Sequence, residues 1–404
     1  MKFLHDILEK QKPMFDKGGK LERFHYLFEA GETFAFTPAT TAPPKGAHIR
    51  DAIDLKRMMM TVVIAMVPAL LFGIWNVGYQ HFLATGNPDA ALAEILMVGL
   101  IQVLPIVLVS YTAGGIVEVI FAVIRKHPIN EGFLVTGMLI PLTMPPDIPL
   151  WQVALATVFA IVIAKEAFGG TGMNILNVAL TARAFLYFAY PTDISGSVWT
   201  YLGDKTPVDG YTGATALALA AEPVVGGKTV SVVEALNHAS TAWTGSDFLF
   251  SAKNMFLGAI PGSIGETSAL MALVGAIILV VAGVASWKIM ASGVLGALAM
   301  GFIFNFAGTT PFMQMTPVYH LIMGGFAFGI VFMATDPVSA AQTETGKWVY
   351  GFFIGLLTVI IRVFNPAYPE GIMLAILLMN VFAPLIDFYV IQANKNRRLK
   401  RIHV

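Results

Sequence analysis

The chain has 404 residues, of which 56% are hydrophobic and only 12% charged, and its mean hydropathy is +0.71. A soluble domain carries about twice that share of charge, so an ordinary cytosolic globule is excluded, as is disorder, which needs low hydrophobicity and high net charge. Basic and acidic residues number 25 each, so no bulk field points to nucleic acid as a partner. The absence of Cys removes disulfides, thiolate nucleophiles and Cys-ligated iron–sulfur clusters. The class that remains is an all-α polytopic membrane protein.

Residues 1–57 form a charged, amphipathic arm without the short apolar stretch and cleavage site of a secretory leader. A spanning helix needs about 20 mostly apolar residues to cross roughly 30 Å of hydrocarbon. Segments that meet this lie near 58–77, 94–124, 132–144, 150–167 and 174–190 in a first half (58–190). In a second half (267–391) they lie near 267–286, 290–308, 317–334, 348–364 and 371–391. Residues 392–404 are a basic tail. Lys and Arg near helix ends stay cytoplasmic. Ten of them precede residue 58 and five follow residue 391, so both termini read as cytoplasmic and the number of crossings as even, about ten. Residues 191–266 then face outward.

The two halves repeat a pattern. An apolar run from Gly132-Phe133 breaks at Pro145-Pro146 and a helix follows near Trp151; a run from Gly325-Phe326 breaks at Asp336-Pro337 and a helix follows near Trp348. A Gly/Pro-rich stretch comes next in each, Gly169-Gly170-Thr171-Gly172 and Asn365-Pro366-Ala367-Tyr368-Pro369. Five spans separate the copies, which makes two inverted five-helix repeats with interrupted helices, the usual pointer to a midplane site in transporters. Kinks that only serve packing would give the same breaks.

In the long outer segment, Asp209-Gly210-Tyr211-Thr212-Gly213-Ala214-Thr215 reads as a tight turn followed by a hydroxyl cluster. Gly213 and Ala214 leave the Thr215 hydroxyl unobstructed, as a bulky adduct would require. Ionisable groups inside spans are expensive and seldom idle. Arg183 is placed to hold an anionic ligand or a carboxylate, or to form a structural ion pair. Glu118, Glu131 and Glu166 read as interfacial carboxylates. Asp336 breaks a helix and frees carbonyls that hard cations prefer, a candidate for a cation path; Asp387, near the cytoplasmic end of the last span, is a second candidate or an interfacial carboxylate. Gly169, Gly170 and Gly172 open a half-helix whose amides suit an anionic or ring ligand, or whose small size only permits tight packing. Met58-Met59-Met60 reads as lipid-facing or core filler. The eight His show no metal-ligand spacing, and there is no phosphate loop or dinucleotide fingerprint.

The chain resembles the B-subunit family of the sodium-translocating NADH:quinone oxidoreductases. The resemblance is carried by Gly18-Gly19-Lys20-Leu21-Glu22, Leu27-Phe28-Glu29-Ala30, Asn130-Glu131-Gly132-Phe133, Lys165 to Gly172 and Asp209 to Thr215. It continues through Ile260 to Glu266, Gly324 to Gly329, Phe332 to Ser339 and Asn365 to Gly371. The related D subunit of the Rnf complex shares the flavin motif but typically lacks so long an N-terminal arm. The resemblance implies FMN esterified to Thr215 within the Asp209, Thr212, Gly213, Ala214 motif, attached on the outer side by an FAD-dependent flavin transferase. It also implies a noncovalent riboflavin on the cytoplasmic side, ubiquinone as substrate near the N-terminal arm, about six subunits in the complex, and the bacterial inner membrane as location. The conserved membrane acids of the family match Asp336 and Asp387. A redox-inactive inverted-repeat channel or transporter is the alternative from a different class.

Overall fold

In hydrocarbon every backbone polar group must be satisfied within the chain, so long apolar segments become helices. The computed structural model of the protein describes residues 2–16, 18–36, 45–46, 55–127, 129, 131–196, 198–365 and 370–402. Asn130 and Pro366 to Pro369, quoted above for the resemblance and the repeat, lie outside the described residues.

The arm supplies α1 (Lys2–Phe15) and α2 (His25–Ala35), joined by a Lys12–Glu32 ion pair at 2.8 Å and by stacking of Phe15 on Phe28. The first half contains α3 (Leu55–Ala84), α4 (Leu92–Arg125), α5 (Gly132–Leu142), α6 (Leu150–Ala160) and α7 (Val178–Ala189). After residue 191 come α8 (Ala216–Ala221), an antiparallel ribbon of β1 (Val224–Val225) and β2 (Lys228–Thr229), α9 (Val232–Thr244) and α10 (Ala252–Leu257). The second half contains α11 (Ala269–Val281), α12 (Trp287–Ala307), α13 (Tyr319–Ile322), α14 (Phe326–Phe328), α15 (Glu344–Phe364) and α16 (Ile372–Ile402).

Six helices among the described residues are long and apolar enough to span a bilayer: α3, α4, α6 with its continuation to Phe168, α12, α15 and α16. The remaining four segments expected from the sequence are short or interrupted: α5, α7, α11 and the α13–α14 pair. Two of the helices change winding where the repeat breaks. α6 passes into a π turn at Ile161–Lys165 and a 3-10 turn at Glu166–Phe168, and α14 passes into a π turn at Gly329–Met333. Such turns free backbone groups and recur at functional sites.

Lipid tails give helices no hydrophobic reason to associate, so close backbone approach through small residues must do it. α12 and α15 meet this way: a Cβ on Gly296 would collide with the Phe352 carbonyl, and one on Gly355 with the Gly293 carbonyl. α3 and α4 repeat the arrangement through Gly78 against Ile95 and Gly99 against Ile74. Because backbone atoms are the obstacle, no rotamer change relieves the clash. Gly355→Leu is therefore expected to cost about 3 kcal/mol or more, read as loss of the folded subunit in a detergent thermal-stability scan, while Leu356→Met beside it leaves the transition in place.

Residues 191–266 do more than connect the halves. They fold over a second core of Tyr211, Leu217, Leu236, Trp243, Phe250 and Met255. Each of its helices begins with a hydroxyl cap, from Thr215, Ser231 and Ser251. This cap and the chain termini lie at opposite ends of the helix bundle.

Candidate functional site

Two cavities open at opposite ends of the bundle. The one at the cap end has a volume of about 300 Å³, and its lining includes Thr215, Trp199, Arg183, Ser263, Glu266 and Glu370. That volume is at the lower end of the range for small-molecule sites. The one at the end carrying the termini is about 100 Å³, with Met58, Met59, Lys165, Asn174, Asn177 and Asp336 among its lining residues.

Thr215 sits on the rim of the larger cavity because the preceding turn is held firmly. Gly210 and Gly213 adopt φ of +83° and +66°, which favours glycine at both. Trp243 Nε1 donates to the Gly210 carbonyl at 2.7 Å, and the Tyr211 ring packs on Trp243 with centroids 4.6 Å apart. The Tyr211 hydroxyl pairs with Thr200 Oγ1 at 2.7 Å, and burial pushes that phenol up to about 12, so it stays neutral at any physiological pH. Thr215 Oγ1 caps α8 by accepting from Ala218 N at 3.2 Å. Asp209 and Thr212 are exposed on the outside of the turn, with Thr212 Oγ1 accepting from Ala214 N at 3.4 Å. Neither they nor Gly213 and Ala214 line the cavity.

Arg183 forms the cavity floor from α7. It is 1% exposed, and its Nη1 donates to Glu266 Oε2 at 2.8 Å and to the Thr143 carbonyl, while Nη2 donates to Glu370. The ion-pair alternative for Arg183 is thus what the structure shows, and the guanidinium still borders the cavity, with the Trp199 ring 5.6 Å away. Ser263 Oγ donates to Glu266 as well. Beside this cluster, Arg362 on α15 is fully buried and donates to the backbone carbonyls of Glu370 and Met323 at 2.9 Å each, and to that of His320.

At the opposite cavity Asp336 follows the π turn after α14. It accepts from Val338 N and Ser339 Oγ at 3.0 Å and from Asn177 Nδ2 at 3.4 Å. Asp387 borders neither cavity. It takes Gln342 N at 2.7 Å and Thr343 N at 2.9 Å, and Gln342 Nε2 in turn donates to the Pro337 carbonyl at 2.6 Å, so the two acids grip one connection, 336–343. Gly169, Gly170 and Gly172 all take positive φ but lie outside both cavities; the residues of that stretch that line one are Thr171 and Asn174.

Two interfacial assignments need correction. Glu118 and Glu166 are buried, 4% and 1% exposed, because Lys165 reaches Glu118 and Arg125 reaches Glu166 at 3.0 Å. Glu131 keeps its half-buried edge position, paired to Lys56 at 3.0 Å. Of the Met58-Met59-Met60 run, the first two line the smaller cavity. Residues that sequence reasoning passed over as individuals are Trp199, Ser263, Glu266, Glu370 and Asn177. Arg362 was passed over as well, although a signal for it was available: Trp151 to Lys165 has the same spacing as Trp348 to Arg362, so each half carries one basic residue from its fourth helix to the neighbourhood of a cavity.

A helical membrane protein with broken helices meeting at two cavities, and a threonine turn at the rim of one, is the class these features define. The comparisons narrow it. A family model described as the NQR2, RnfD, RnfE family matches residues 43–396, and the chain belongs to that family. It is 47% identical to the B-subunit of the Na(+)-translocating NADH-quinone reductase of Azotobacter vinelandii, covering 98% of each chain. It is 46% identical to the proteins of the same name from Pseudomonas paraeruginosa and Chromohalobacter salexigens, covering 98% of this chain and 99% and 96% of theirs.

Proposed function

We propose that this chain is the flavin-carrying membrane subunit of a translocase that passes electrons from NADH to ubiquinone and moves Na⁺ across the bacterial inner membrane. The relatives' shared name supports the complex and its overall reaction. The observation that carries the flavin assignment is the position of Thr215, held by a stiff turn on the rim of a 300 Å³ cavity. Its hydroxyl oxygen would hold FMN as a phosphate ester, formed from an FAD donor as a Thr–O–P bond replaces the pyrophosphate bond and AMP leaves. FMN there supplies reversible electron uptake. The chain's own residues do the rest: the start of α8 favours the phosphodiester charge, Trp199 and the Ile260 and Leu217 side chains give the cavity apolar walls, and the Arg183 cluster gives it a polar floor.

Basic-residue asymmetry puts both termini in the cytoplasm and the α8–α10 cap outside, which sets the two cavities on opposite sides of the membrane. The inner one is the place for noncovalent riboflavin. Asn174, Asn177 and Thr171 offer hydrogen-bonding groups, Thr171 Oγ1 is buried without a hydrogen-bond partner among the described residues, and flexible Met58 and Met59 can move aside to widen the space. Na⁺ is cargo here, and Asp336 and Asp387, which share the 336–343 connection, mark its inner path. The Rnf-type reading is less favoured because relatives named as the B-subunit of the reductase align along 98% of the chain.

Intact-mass measurement of the subunit from natively matured complex tests the central point. The expected mass is that of the polypeptide plus FMN less one water, with the increment on the peptide containing Thr215; the bare polypeptide mass would overturn it.

A further inference from the structure

Glu266 and Glu370 reach Arg183 from two different directions, the approaches to α11 and α16, and share its guanidinium. Their other oxygens border one point: the position a Cβ of Gly325 would occupy lies 3.0 Å from Glu266 Oε1 and 2.9 Å from Glu370 Oε1. Glu266 is 2% exposed, borders the outer cavity, and its Oε1 has no hydrogen-bond partner among the described residues. The charged and titratable neighbours do not fill that gap. Arg183, from α7, directs its Glu266 bond to Oε2. Arg362, from α15, turns its Nε and both Nη groups to three backbone carbonyls. His320, from α13, packs near Arg362, and Glu222, at the end of α8, borders the cavity as a further acceptor.

A buried acceptor with no donor is costly, and two carboxylates facing one point repel. A single proton removes both difficulties, since it turns one oxygen into a donor to the other. A sodium ion needs more oxygen ligands than these two acids offer, and the adjacent guanidinium opposes it. We propose that Glu266 and Glu370 hold one proton between them, forming a protonatable site on the floor of the outer cavity that loads when negative charge enters it. The existence of the pair stands on the cluster geometry alone; only its loading by reduction of a flavin rests on the reading given under Proposed function.

Dicyclohexylcarbodiimide, an apolar reagent that reacts with protonated carboxyls, provides the test, applied to the purified complex and to its Thr215→Ala counterpart, in which no tethered group can block the cavity. The expected result is an N-acylurea adduct on the peptide carrying Glu266 or Glu370 in at least one of the two preparations, falling at least tenfold as pH is raised. Glu266→Gln should remove the label from Glu370, and Glu370→Gln the label from Glu266, because the remaining acid then pairs alone with Arg183. Exchange of choline chloride for sodium chloride at constant ionic strength should leave labelling unchanged. Absence of adduct at every pH in both preparations overturns the proposal, and protection by sodium overturns it in favour of a sodium site.

Discussion

Thr215→Asn is expected to yield a complex of normal composition whose subunit shows no flavin fluorescence on a denaturing gel and whose quinone reduction falls below detection. The choice of Asn matters. Thr215 caps α8 through Ala218 N, and under the proposed function it has a second task, offering a hydroxyl to the flavin donor. Alanine removes both, and loss of a cap alone costs about 1 kcal/mol. Asparagine caps as well as threonine but has no hydroxyl to esterify, so it separates chemistry from stability. Thr215→Ser keeps both functions and should retain fluorescence. A fluorescent Asn variant would move the attachment to another residue, with Thr212, exposed two residues upstream of Ala214, the nearest hydroxyl along the chain. Tyr211 offers no escape route, since its buried phenol points to Thr200, away from solvent.

What the sequence discloses and what it withholds follow from the range of the interactions involved. Apolar length is a local property, so ten segments could be drawn; helix breaks at Pro145-Pro146 and Asp336-Pro337 are equally local, and the structure has α5 ending at Leu142 and the π turn ending at Met333. The second core over residues 191–266 was hidden because α8 and α10 have only six residues each, too few to show a period. Its anchors, Tyr211 and Trp243, touch across a long stretch of mixed composition. Burial of charge was misjudged for the same reason. Glu118 looks interfacial until Lys165, 47 residues on, is folded against it, and Arg183 finds Glu266 and Glu370 at separations of 83 and 187. Each partner lies in a different helix or helix approach, and no local pattern relates them. The one long-range feature sequence could expose was the inverted repeat, because symmetry makes two distant places look alike.

Those long-range pairs carry the second large effect. Arg183 ties α7 of the first half to the approaches of α11 and α16 in the second, so it is a bolt between repeats as well as a cavity floor. Arg183→Met keeps most of the side-chain volume and removes the charge. Breaking a buried ion pair from one side costs about 3–5 kcal/mol, because the abandoned charge stays buried. Here Glu266 is left almost wholly buried and Glu370 largely so, and the Thr143 carbonyl at the end of α5 loses its donor too. The single variant should therefore lose thermal stability in detergent by at least that amount and fail to hold the two halves in register. The triple variant Arg183→Met, Glu266→Gln, Glu370→Gln leaves no stranded charge and should recover most of the loss, since replacing a whole buried ionic cluster by neutral groups of like size is close to neutral. It would do so without the polar floor of the cap-end cavity. A stable triple variant that still esterifies Thr215 but shows an altered flavin reduction potential separates the two roles of the cluster: stability would come from charge balance, which neutral residues can supply, and redox tuning from the guanidinium and its acids, which they cannot. Equal stability of the single and triple variants would show instead that Arg183 acts through packing alone.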